Sequence, residues 1–70
     1  MKKVKIKQLT SKDIGRWVEY TSSDGKKEQG KIKGWNNEYI FVVYQCENRW
    51  DKFQDYTGVA TNPENLKFID

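Results

Sequence analysis

Trp17, Lys31, Lys33 and Trp35 are the residues of this 70-residue chain whose types and spacing could do chemistry together. Indole rings give unpaired bases a flat surface, each stack being worth about 1–3 kcal/mol, and lysines two apart on a strand can meet phosphates with a salt-dependent attraction. Lys5 and Lys7, with Lys3 and Arg16, could extend such a cationic surface. The same residues have a plainer use, because a lysine laid across a cross-strand tryptophan stabilises a solvated sheet face without any ligand. Trp50, Phe53 and Tyr56 form a second candidate set. Their three-residue intervals put them on one side of a short helical turn, where they either close the core as a lid or line a groove for a peptide. A lid is the favoured expectation, since so small a domain has few other ways to cover its core.

Enzyme chemistry is not expected. The chain has no histidine, the commonest general base and metal ligand near neutral pH, and one cysteine cannot build a multi-thiolate zinc site. Cys46 follows the apolar run from Tyr39 to Tyr44 and reads as a small buried filler. Glu47, Asp51 and Asp55 lack the ordered spacing of a calcium loop. Gly25, Gly30, Gly34 and Gly58 fall at turns and strand bends, not in a phosphate-cradling loop. No catalytic residue, metal or cofactor is expected.

Seventy residues allow one domain over 1–70, burying only about 60–65 % of the surface its unfolded form exposes. A lone cysteine cannot staple it, which places the expected home in the cytoplasm. Val4 and Ile6 alternate with lysines where a leader would be continuously apolar, and no apolar run approaches the roughly 20 residues that span a bilayer, so no membrane role is expected. Residues 1–33 hold ten Lys or Arg against four acids, a net +6, while residues 34–70 hold three against six, a net −3. A basic half of this kind attracts phosphate backbones or an acidic protein surface, and it also keeps strand edges from pairing.

The elements that must position these residues are strands. Lys3 to Lys7 reads as a short strand, with Val4 and Ile6 on one face, and Thr10-Ser11-Lys12-Asp13 has the spacing of a reciprocal helical cap. Arg16 to Thr21, Lys26 to Gly34 and Tyr39 to Tyr44 then predict a three-stranded antiparallel meander. Parity selects the first turn. Val18 and Ile32 share a face only if Ser23-Asp24-Gly25 is a three-residue loop, which pairs Ser22 with Lys26, Val18 with Gly30 and Arg16 with Ile32. Trp17, Glu19, Lys27, Gln29, Lys31, Lys33 and Trp35 are then expected on the opposite face. On that basis, reversing the charge of Lys31 and Lys33 should leave the fold intact. The second hairpin stays open: a tight Asn36-Asn37 turn puts Phe41 and Val43 on the face of Ile32, and an odd-length loop puts Ile40, Val42 and Tyr44 there. Both sets are apolar, so this strand is expected to be covered on both sides. Gly58 to Thr61 and Leu66 to Ile69 complete the strands, separated by a helical turn at Pro63-Glu64-Asn65 that Asn62 caps.

That order of elements resembles the SH3-like and Tudor-like small barrels, over about residues 13–69. The wording GKIKGWNNEYIFVVY and WDKFQDYTGVATNPENL is similar to that of small uncharacterised phage and prophage proteins. The resemblance implies an all-β, SH3-like barrel of five to six short antiparallel strands with one or two short helical turns. It also implies a non-enzymatic binding module, but carries over no functional residue, since the fold hosts many kinds of ligand. A Tudor-type aromatic cage is disfavoured, because Trp17, Tyr20, Tyr39, Tyr44 and Trp50 are spread by parity over both faces. Another protein is the expected partner, through the accessory role of a mobile element. The alternative is single-stranded nucleic acid held on the lysine and tryptophan face.

Overall fold

Turn chemistry sets the first hairpin. The computed structural model describes residues 3–70. Strands β1 (Trp17–Thr21) and β2 (Lys27–Trp35) pair antiparallel with Val18 opposite Gly30, and the Ser22 amide donates to the Lys26 carbonyl at 2.8 Å. The three-residue loop between them is the expected one. Gly25 takes φ +86°, a value that L side chains rarely adopt, and Asp24 accepts from the Ser22 hydroxyl and the Lys26 amide across the turn.

The second hairpin resolves the open parity in an unforeseen way. Asn36 holds the loop by accepting the Glu38 and Tyr39 amides at 2.8 Å each, so that Trp35 pairs with Ile40 and Gly34 with Phe41 on β3 (Ile40–Val43). The register then shifts between Ile32 and Gly34, and Ile32 pairs with Val42. Lys33 is thus the extra residue of a β-bulge, and this odd residue added to a four-residue loop brings Ile40 and Val42 to the face of Ile32.

Beyond β3 the chain forms a kinked 3₁₀ segment at Trp50–Asp55, then β4 (Val59–Thr61), a 3₁₀ turn at Pro63–Asn65 and β5 (Leu66–Phe68). The Asn62 side chain caps the latter turn through the Glu64 amide at 2.9 Å, as its position predicts. Near the start, Thr10 and Asp13 cap a 3₁₀ turn at Ser11–Asp13 reciprocally. The expected strand from Lys3 to Lys7 is a single bridge, Lys3 to Lys67, after which Ile6–Gln8 turns as 3₁₀. That turn lets both Ile6 and Leu9 pack on the core, which a strand's alternation would not. The described residues therefore carry four 3₁₀ segments, more than the one or two expected.

The sheet order is β4-β3-β2-β1-β5, all antiparallel. Five strands form among the described residues, with β4 and β5 at the two ends of the order; beyond β5 lie the Lys3–Lys67 bridge and the Val4 amide bond to the Leu66 carbonyl, and nothing pairs β4 with β5, so the hydrogen-bonded sheet is open where a barrel would close it. Each face carries a core. On one side Val4, Val18, Ile32, Ile40, Val42 and Leu66 are buried together; on the other, Val43, Cys46 and Phe53 are. Burying both faces accounts for the unbroken apolar run of β3. No helix among the described residues is long and apolar enough to cross a membrane.

Candidate functional site

The bulge at Lys33 takes apart the expected lysine and tryptophan face. Side chains alternate up to Ile32, so Trp17, Glu19, Gln29 and Lys31 do share one side; past the bulge the parity inverts, and Trp35 packs against the Val18 and Ile32 core on the opposite side. Trp17 and Trp35 therefore cannot stack bases along one surface. Lys5 and Lys7 are exposed on the segment ahead of the Ser11–Asp13 turn and belong to a separate surface.

What remains on the Trp17 side is occupied from within the chain. Trp50 folds back so that its ring centroid lies 4.6 Å from that of Trp17, at an interplanar angle of 57°. The Lys31 ammonium sits 5.3 Å from the Trp17 centroid and 5.4 Å from that of Phe53, within the range of cation–π attraction to both. Lys33 donates from Nζ to the Tyr56 carbonyl at 2.6 Å, tying β2 to the end of the lid. Neighbouring charge is neutralised as well. Glu19 lies 3.5 Å from Lys67 and 4.0 Å from Lys27, and its carboxyl is held below the usual range first by the Gln29 side-chain amide and then by Lys67. Phe53 is the buried member of the lid, while Trp50 and Tyr56 are half-buried against it.

Several other surfaces are open, among them a hollow beside Trp50 and Tyr56, and two bear on function. One is a groove of about 660 Å³ between residues 3–8 and the Pro63–Asn65 turn, lined by Val4, Ile6 and Pro63 together with Lys3, Lys5, Lys7 and Glu64. The other is a cleft of about 420 Å³ at one end of the larger core, reached by Tyr20, Glu28, Tyr44, Val59 and Thr61. Neither was expected as a site. The groove depends on the Ile6–Gln8 turn, which strand alternation conceals; the cleft gathers residues from β1 to β4, and only the bulge fixes which of them meet. Cys46 is buried, and no group of three or more His, Cys, Asp or Glu among the described residues is placed to hold a metal ion. No family model matches the chain, and no curated protein or solved structure matches it either.

Proposed function

We propose that this chain is a non-enzymatic, cytoplasmic binding module of SH3-like build, and that it docks a segment of another protein. The β4-β3-β2-β1-β5 order and the 3₁₀ turn before the last strand support the barrel reading. The resemblance to small phage and prophage proteins supports an accessory role in a mobile element. One observation carries the choice of partner: Lys31 and Trp17 are engaged with each other and Lys33 with the Tyr56 carbonyl, whereas the groove that Lys3, Lys5 and Lys7 line is open and has apolar side chains in its wall. A groove lined by apolar side chains and lysine ammonium groups fits a segment that presents an apolar side chain flanked by carboxylates.

The test is an affinity capture with the intact protein, performed with and without nuclease. Retention of a partner protein after nuclease treatment is the expected result, together with its loss in a Lys5→Glu, Lys7→Glu variant of unchanged melting temperature. Capture that disappears with nuclease would replace this reading by the nucleic-acid one. So would salt-sensitive binding of mixed-sequence oligonucleotides to the wild-type chain.

A further inference from the structure

We propose that the cleft lined by Tyr20, Glu28, Tyr44 and Val59 is a binding site for an arginine side chain, supplied by a protein partner and so resting on the protein-docking reading for its source. The cleft lies where the larger core gives out. Tyr20 on β1 pairs across the ladder with Glu28 on β2, which places an aromatic ring and a carboxylate side by side on the core face. Tyr44, just past β3, brings a second ring 6.2 Å from Tyr20 in an edge-to-face arrangement at 66°. Val59 adds an apolar wall that is 54 % exposed, one of the few large apolar side chains the sheet leaves uncovered.

Hydrogen bonding fixes the polarity of the site. The buried Thr61 hydroxyl donates to the Val59 carbonyl at 3.0 Å, so in its 3.0 Å bond with Tyr44 it must accept. The Tyr44 hydroxyl is thereby the donor to Thr61 and keeps acceptor capacity on its own oxygen. Burial pushes the Tyr44 phenol above its ordinary pKa, the Thr61 bond opposing and the nearby Glu28 carboxylate adding, which keeps the ring neutral. Glu28 itself makes no ion pair among the described residues. Two rings, a phenolic acceptor and an unpaired carboxylate thus converge on one cleft. A guanidinium satisfies that set, stacking on a ring while its fork of donors meets the carboxylate; an ammonium is a point charge without a plane to stack.

The probe is N-acetyl-arginine methylamide, titrated into the labelled full chain and followed by amide chemical shifts, with the neutral citrulline analogue and the lysine analogue in parallel. Saturating shifts are expected at Tyr20, Glu28, Val59 and Thr61, with citrulline weaker by about tenfold or more, the scale of a lost charge-assisted hydrogen bond. Glu28→Gln, which replaces an exposed residue, should keep the dispersed spectrum and reduce arginine binding to the citrulline level. Absent or scattered shifts, or equal binding of citrulline, would overturn the site. Equal binding of the lysine analogue would overturn its assignment to arginine. Because the probe needs no partner, failure here is separable from failure of the lysine-lined groove to capture a protein.

Discussion

Lys31 is a surface lysine only by sequence. With its ammonium over the rings of Trp17 and Phe53, it contributes about 0.5–1 kcal/mol per ring if the contacts behave as exposed cation–π pairs do. Reversing its charge would set a carboxylate against two electron-rich faces. Lys31→Glu is therefore expected to lower stability by about 1–2 kcal/mol in urea unfolding, and Lys31→Met, which keeps the stem, by less than about 1 kcal/mol. The expectation that Lys31 and Lys33 can be reversed with the fold intact stands against this one, and a fully tolerated Lys31→Glu would uphold it. A second cluster of charges makes a prediction about pH. Arg16 bonds Asp70 at 2.9 Å and Asp13 at 3.0 Å while lying 3.8 Å over the Phe68 ring. Asp13, accepting first from the Thr10 amide and then from Arg16, and Asp70, accepting from Arg16, are both held below the usual carboxylate range, and Glu19 and Asp24 are shifted the same way. Carboxyls lowered on folding stabilise above their unfolded pKa and lose that contribution as pH falls through the folded value. The urea midpoint should be level above about pH 5 and decline below about pH 4, with a shallower decline in Asp70→Asn.

At the scale of elements, legibility followed the range of the interactions. The β1–β2 hairpin could be read because its turn residues and its two core residues, Val18 and Ile32, lie within one short stretch and parity links them. The caps at Thr10 and Asn62 were equally local. The bulge at Lys33 was not legible, since Lys31-Ile32-Lys33 continues a regular alternation and the inserted residue is selected by how β3 packs on both faces. Trp35 was placed on the wrong side for that reason alone. The rings over Lys31 were likewise hidden, because Phe53 reaches it only through the fold-back of the Trp50–Asp55 segment. Gly30 tests the β2–β3 contact directly. A methyl group there would collide with the Val43 carbonyl and Val42 Cγ1, and backbone cannot yield as a flexible side chain can. Gly30→Ala should cost about 1–3 kcal/mol or more, the range for overpacking a tight core. Gly34→Ala, where nothing lies within 4 Å, is the control and should change thermal stability little. Equal effects of the two would mean that β2 and β3 are not in such close approach.

The whole molecule is one sheet with a core on each face, and neither core is large. Chains below about 70–80 residues rarely draw more than about 3–5 kcal/mol from a single core, and the smaller one here buries Val43, Cys46 and Phe53 among the described residues. Such a cluster cannot hold the Trp50–Asp55 segment in place once β2 and β3 separate, and β3 cannot lose Val43 packing without disturbing Ile40 and Val42 on its reverse side. The two cores should accordingly unfold together. Fluorescence can be made to see only the lid side, because Trp17 and Trp50 meet there while Trp35 belongs to the larger core and can be changed to Phe. In Trp35→Phe, the urea transition followed by indole emission should coincide with that followed by far-ultraviolet circular dichroism. Phe53→Ala should move both together, lowering stability by about 3–5 kcal/mol, as expected for truncating a buried phenylalanine. An emission change that precedes the loss of sheet signal would show instead that the lid opens as a separate unit. Trp50, Phe53 and Tyr56 would then become accessible rings over an intact sheet, and the peptide-groove reading of that segment would displace its role as a cover.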